Sequence, residues 1–312
     1  MNSIAALPKG RTEHVIFFGT PEIAVGPLRA LVAAGFAVDL VVTGVDKRRG
    51  RGSQTSPSPV KQAAIELQLP VTHEVSDAIA LVASSDAKFA GSYVGVVVAY
   101  GHIISSEALQ VLPMINIHYS LLPRWRGAAP VERALLAGDE QTGVCIMQVV
   151  EQLDAGDILS SATTQISQTD TTTTLRSRLG EIANPMLIEV LSNGVSTTQP
   201  QTGDIVVAAK ITQADLEIDW SKPAAVIDRQ VRVGGAFTFF HDKRFKIHSL
   251  KVSTEIFIAK PGNMVVVNDR VLVACGQGVV ELVEIQPEGK PRISAQDWKK
   301  GARLDAQSRL GS

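Results

Sequence analysis

The stretch VIFFGTPEIAVGPLRALVAAG, residues 15–35, decides the fold class. Residues 15–18 form a short apolar run that stops at Gly19, the pattern of a buried strand. Pro21 follows and suits a first helical turn, where its missing N–H is not needed. From 22 to 34 apolar residues recur at helical intervals, and Gly35 marks the stop. Working outward, residues 37–43 are a second apolar run rich in Val, residues 59–67 read as a helix, and residues 94–99 are a third apolar strand closed by Gly101. Continuous apolar strands alternating with helices predict an α/β domain whose parallel sheet is covered on both faces. Such a sheet takes its ligands beyond the C-terminal ends of its strands, where strand order reverses.

Residues 171–193 predict a further helix, rich in Leu and Ile, ending near Asn193 and Gly194. The polar stretch VSTTQPQTGD, residues 195–204, holds Pro200 and Gly203 and reads as a linker. Beyond it, strand-like pieces at 245–252, 263–267, 270–274 and 279–286 are divided by Asn268-Asp269 and by residues 276–278. Short strands with such turns predict a small closed or partly closed β-barrel. The expected organisation is a first domain over 1–194, a linker over 195–207 and a second domain over 208–312.

A chain of 312 residues with 45% apolar and 20% charged side chains is expected to build packed cores, normally in two domains. Cys145 and Cys275 spell neither a disulfide framework nor a CxxC metal site, and two thiols suit a reducing compartment. No apolar run approaches the length of a membrane span. The opening MNSIAALPKGRTEH has no stretch of signal-peptide character, so the cytoplasm is the expected location. The net charge of −1 by itself points to no nucleic acid, but the charge is unevenly spread. Residues 1–204 carry 14 basic and 19 acidic side chains, against 16 and 12 in residues 205–312. A basic second half suggests an anionic partner there or at its border with the first. Chance variation on a solvated surface explains the same asymmetry.

The densest chemical cluster is INIHYSLLPRWRGAAP, residues 115–130. Asn116 and His118 flank Ile117 at the end of a short strand, so alternation sets both on one face. An amide beside an imidazole at the C-terminal edge of a parallel sheet suits work on a carbonyl. A capping Asn and a hydrogen-bonded His would leave the same letters. LDAGD, residues 153–157, sets Asp154 in a turn with Gly156, which by itself is equally an ordinary Asx-turn. DKRRGRG, residues 46–52, gathers Lys47, Arg48, Arg49 and Arg51 between the second strand and the next helix. Such a run is either a solvated basic loop or an RNA contact. Arg124 and Arg126 flank Trp125, either as the rim of an entrance or as partners in surface ion pairs. None of the His, Cys or carboxylate spacings is that of a metal site.

Taken together, NIH-x-SLLP followed by a distant LDAGD resembles the folate-dependent formyltransferase family. Within that family the resemblance is to members that act on initiator methionyl-tRNA. It extends to FFGTPEIAV (17–25), GRGSQTSPSPVK (50–61), SLLPRWRGAAP (120–130) and ELVEIQPEGKPRISAQDW (281–298), and so covers nearly the whole chain. The resemblance implies a Rossmann-like first domain and an OB-like β-barrel second domain that binds tRNA. It implies Asn116, His118 and Asp154 as the catalytic trio. It further implies folate binding by Tyr100, Gly101, Ile104, Ser120, Leu121, Leu122 and Pro123, and tRNA binding by Lys47, Arg48, Arg49 and Arg51. The implied donor is 10-formyltetrahydrofolate, used as a substrate without a metal, and the implied acceptor is the α-amino group of methionine on initiator tRNA. Nothing demands a partner chain, so a monomer is expected.

Two positions depart from the family pattern. Tyr119 stands where Gly is common, and Gln152 precedes LDAGD where Gly is common. The competing expectations are a formyltransferase for a nucleotide sugar or small ribonucleotide amine, a hydrolase releasing formate, and a non-catalytic RNA-binding protein. The basic loop argues against the first, and the intact trio against the last.

Overall fold

The apolar run that opens the chain is strand β1 (His14–Gly19), and Val15, Ile16, Phe17 and Phe18 are fully buried. The structure, a computed structural model, describes residues 4–48, 55–85, 92–195, 197–305 and 307–311. The chain divides into one unit of residues 1–130, 141–165 and 176–208, and another of residues 131–140, 166–175 and 209–312.

In the first unit β2 (Ala37–Val42) runs parallel to β1. A short antiparallel ribbon follows, β3 (Lys47–Arg48) with β4 (Thr55–Ser56), and then β5 (Val71–Thr72) pairs parallel with β2. The chain next returns to the other side of β1, where β6 (Tyr93–Val98) and β7 (Met114–His118) add in parallel. β8 (Arg124–Gly127) lies outside this sheet. β9 (Gln141–Gln148) and β10 (Ile158–Gln165) complete the sheet as an antiparallel edge. The resulting order is β10-β9-β7-β6-β1-β2-β5. Strand order therefore reverses between β1 and β6, which makes their C-terminal ends the place for a ligand.

The predicted helix at 22–34 is divided into a single 3-10 turn, Glu22–Ala24, and helix α1 (Val25–Ala33). Starting the α-helix at Val25 puts Pro27 in the first turn, among N–H groups that have no intrahelical partner. α2 (Pro59–Glu66) starts at a proline, and the Ser58 side chain caps it by accepting from the Lys61 N–H. α3 (Val75–Ser84) and α4 (Ser106–Val111) pack on one face of the sheet around Ile16, Phe18, Val97 and Leu109. After α5 (Pro130–Ala137) and the long α6 (Thr172–Asn193), β11 (Val206–Ala208) pairs parallel with β8.

The second unit contains α7 (Gln213–Leu216), α8 (Ala224–Val233), β12 (Phe237–Phe240), β13 (Lys243–Ser253), β14 (Met264–Val267), β15 (Arg270–Ala274), β16 (Val279–Pro287), β17 (Ile293–Ser294) and α9 (Ala295–Ala302). Its strands are antiparallel in the order β12-β13-β16-β15-β14, with β17 on β16. The predicted turn at Asn268 and Asp269 has both residues at positive φ, 46° and 68°, as a tight two-residue hairpin requires. Register shifts in β13 after Ile247 and Ser249 bend the sheet around a core that includes Trp220, Ile227, Phe245, Val273 and Ile285. The second half thus has the antiparallel β character expected of it. β12 and β14, at the two ends of the path, are not paired with one another.

Among the described residues no helix is long and apolar enough to cross a membrane.

Candidate active site

The site is built at the C-terminal edge of β7. Asn116 and His118 occupy alternate positions of that strand and so share a face. Asn116 is half-buried, and its side-chain amide has no hydrogen-bond partner among the described residues. His118 is buried, and its Nε2 lies 2.8 Å from the Trp125 carbonyl oxygen. A carbonyl can only accept, so Nε2 carries the proton and Nδ1 is left with its lone pair. Asp154 Oδ2 stands 3.6 Å from that Nδ1. The gap exceeds a direct hydrogen bond, yet an imidazole that gains a proton there meets a carboxylate at once.

The same carboxylate oxygen is held by the backbone. Asp154 Oδ2 accepts from the Gly127 N–H at 2.8 Å. Gly127 has φ 120°, and a Cβ there would lie 2.8 Å from the Ala208 carbonyl oxygen on β11. Only glycine fits that close approach. Gly156, two residues past Asp154, is likewise enclosed, since a Cβ would lie 1.9 Å from the Gln148 carbonyl oxygen.

Three non-glycine residues past the ends of these strands have positive φ: Ala99 after β6 at 46°, Trp125 within β8 at 66° and Asp154 before β10 at 49°. Such conformations cost about 1–3 kcal/mol each and persist where the surrounding structure fixes them, most often at functional sites. Large apolar side chains are exposed beside the same loops, Ile103 at 92% and Leu153 at 67%.

The remaining predicted residues fall into three groups. Ser120 is fully buried and its hydroxyl donates to the Arg124 carbonyl at 2.7 Å, while Leu122 packs with Cys145 and Met147, so both hold the turn after β7 from inside. Leu121 is half-buried beside them, and the Leu122–Pro123 peptide is cis. Tyr100 is buried edge-on against Phe18, which pushes its hydroxyl pKa up, and its carbonyl accepts from Thr20 at 3.1 Å. Gly101 is exposed and Ile104 half-buried on the loop that follows. Lys47 is exposed on β3, where its partner is Ser56. Arg49, Arg51 and the side chain of Arg48 lie outside the described residues.

Tyr119, the departure next to His118, is buried with its hydroxyl 3.5 Å from the Ile23 carbonyl oxygen. Burial pushes its pKa well up, so the phenol stays neutral. Arg124 stacks its guanidinium 4.5 Å over the Trp125 ring. Sequence reasoning missed the Trp125 carbonyl, the Gly127 N–H and the side chain of Gln201, which donates to the carbonyls of Asp154 and Gly156 at 2.9 and 2.8 Å. The first two are backbone groups, which no residue letter marks. The third lies in a stretch whose composition reads as linker.

Residues 14–191 match the model of the family described as formyl transferase, and residues 210–303 match its C-terminal domain. The methionyl-tRNA formyltransferase of Methylococcus capsulatus is 39% identical over 314 residues, covering 96% of this chain and 100% of that protein. The protein of the same name from a Jannaschia species is 41% identical over 299 residues, covering 93% and 97%. Among solved structures, HypX from Aquifex aeolicus in complex with tetrahydrofolic acid superposes with a TM-score of 0.63 at 14% identity, over 91% of this chain and 46% of that one. WlaRD, a sugar 3N-formyl transferase, superposes with a TM-score of 0.62 at 15% identity, over 90% and 100%. At that identity the superpositions speak for the fold alone. The full-length relatedness goes further: this chain belongs to the formyl transferase family, on the branch of the methionyl-tRNA formyltransferases.

Proposed function

We propose that this chain transfers the formyl group of 10-formyltetrahydrofolate to the α-amino group of methionine on initiator methionyl-tRNA, for translation initiation. The observation that carries the reading is the approach of His118 Nδ1 to Asp154 Oδ2, 3.6 Å, in a chain related along 96% of its length to a methionyl-tRNA formyltransferase. The half-buried Asn116 amide two residues from His118 supports it, because a donor without a partner suits an oxygen that becomes negative.

The folate carrier supplies a formyl group bonded to nitrogen, and the acceptor supplies an amine. As the amine nitrogen bonds to the formyl carbon, the carbonyl π pair moves to oxygen. The Asn116 amide donates to that oxygen, a contribution of about 3 kcal/mol for one such donor. His118 Nδ1 accepts the proton the amine must lose and returns it to the folate nitrogen as the old C–N bond breaks. General acid–base help of this kind contributes roughly 10²–10⁴-fold. The Trp125 carbonyl holds the ring through Nε2, and Asp154 stabilises its cationic form between those transfers.

Folate binding is assigned to Tyr100, Gly101, Ile104, Leu121 and Pro123, with Ser120 and Leu122 holding from inside the turn that presents them. The exposed apolar Ile103 and Leu153 beside polar groups suit a carrier that is flat and partly apolar. tRNA binding is assigned to Lys47, Arg48, Arg49 and Arg51, with phosphate contacts from Lys243, Arg244, Lys246, Lys299, Lys300 and Arg303 of the second domain. The chain is taken to act as a monomer in the cytoplasm.

The test is incubation with 10-formyltetrahydrofolate and charged initiator tRNA, followed by mass analysis of the released amino acid. Formylmethionine is expected, with a rate that falls at subsaturating tRNA as salt is raised and in Arg51→Ala. Absence of formylmethionine, or formate release at the same rate without tRNA, would overturn the reading.

A further inference from the structure

Gln201 belongs to the polar stretch after α6, yet its side chain is fully engaged within the first unit. Its Oε1 accepts from Arg126 Nε at 2.9 Å and Nη2 at 2.7 Å. Arg126 has no acceptor, so the amide orientation is fixed and its NH₂ must point the other way. That NH₂ donates to the carbonyls of Asp154 at 2.9 Å and Gly156 at 2.8 Å. These two carbonyls bracket the turn in which Asp154 takes its positive φ of 49°.

The neighbours of Gln201 continue the same contact. Gln199 and Ile158 exchange backbone hydrogen bonds at 2.8 and 2.9 Å, and Thr198 Oγ1 donates to Asp157 Oδ2 at 2.9 Å. β11, a few residues on, pairs with β8, whose Gly127 N–H holds the Asp154 carboxylate. One stretch of chain therefore braces the turn at Asp154 directly through its carbonyls, and through β8 it backs the strand whose N–H holds the carboxylate.

We infer that Gln201, fixed by Arg126, is a positioning residue that holds Asp154 at its working distance from His118. The inference deepens the proposed formyl transfer and rests on it. A clamp of this kind acts on a group needed after both substrates are bound, so its loss lowers kcat and leaves KM nearly unchanged.

Two variants separate its parts. Gln201→Ala removes both sets of bonds. Gln201→Glu keeps an acceptor for Arg126 but sets a carboxylate against two carbonyl oxygens. The measurements are kcat and KM for formylation of methionyl-tRNA, and hydrogen–deuterium exchange of the peptide spanning 149–157. Both variants are expected to lose about 10- to 100-fold in kcat, the scale of a misplacement near 1 Å, with KM for each substrate within about twofold. Exchange of the peptide is expected to quicken in both. A Gln201→Glu kcat within about twofold of wild type, a loss confined to KM, or unchanged exchange would overturn the inference. Failure of the wild-type chain to transfer formyl strikes the proposed function instead, and the exchange measurement then decides the role of Gln201 by itself.

Discussion

His118 shows how much of this site rests on single atoms. The Trp125 carbonyl decides which ring nitrogen carries a proton, and the other is left facing Asp154 at 3.6 Å. A shift of one residue in the turn at Asp154 would be enough to spoil that relation. Gly156→Ala tests this directly, because the new Cβ would lie 1.9 Å from the Gln148 carbonyl oxygen and the backbone would have to move. The expected outcome is about 1–3 kcal/mol of lost stability by chemical denaturation, and a kcat reduced by about tenfold or more. A stable, fully active Gly156→Ala enzyme would show that the turn tolerates displacement. Asn116, His118 and Asp154 were legible because alternation on a strand and a D-x-G turn are written in letters. The Trp125 carbonyl and the Gly127 N–H were not, because every residue has such groups and only the fold selects which ones matter.

At the scale of elements, β1, β2 and β6 were legible as continuous apolar runs, and Phe17 and Phe18 of β1 are fully buried as such runs require, while the two-residue β5 is too short to show one. The antiparallel edge was harder to read. β10 is burdened with Ser, Thr and Gln at half-exposed positions, so its composition resembles a loop until β9 supplies its pairing. The short α7 was invisible for a related reason, since a helix of four residues has no periodicity to find. It is held instead by charge. Asp215 caps α7 together with Thr212 and accepts from Arg133 of α5 at 2.7 Å, all within the second unit. The hydrogen bond from Arg133 is the main reason its carboxyl is held down at about 2. A depressed carboxyl stabilises the fold above its ordinary pKa near 4 and loses that contribution as pH falls toward about 2. Asp215→Asn is therefore expected to cost about 2 kcal/mol at pH 7, with the gap to wild type narrowing below about pH 4. Denaturation curves at neutral and acid pH check this, and a pH-independent gap would assign the loss to the cap alone.

Over the whole molecule, the class of each half was legible, but the grouping of residues was not. Residues 131–140 and 166–175 belong with the second unit although they interrupt the first in sequence. Composition follows the order of the chain, and packing does not. The basic balance of the second half is a matter of composition, to which chain folding is nearly indifferent, and the proposed function gives it to a partner. The central proposal is that Asn116, His118 and Asp154 act together on one acyl carbon. The measurement that tests it most directly is kcat for formylation at saturating folate donor and methionyl-tRNA in Asn116→Ala, His118→Ala and Asp154→Asn, with tRNA binding measured on the same preparations. The account predicts a loss of about 100-fold or more in each, with binding within about twofold of wild type. Rates close to wild type in all three would contradict it.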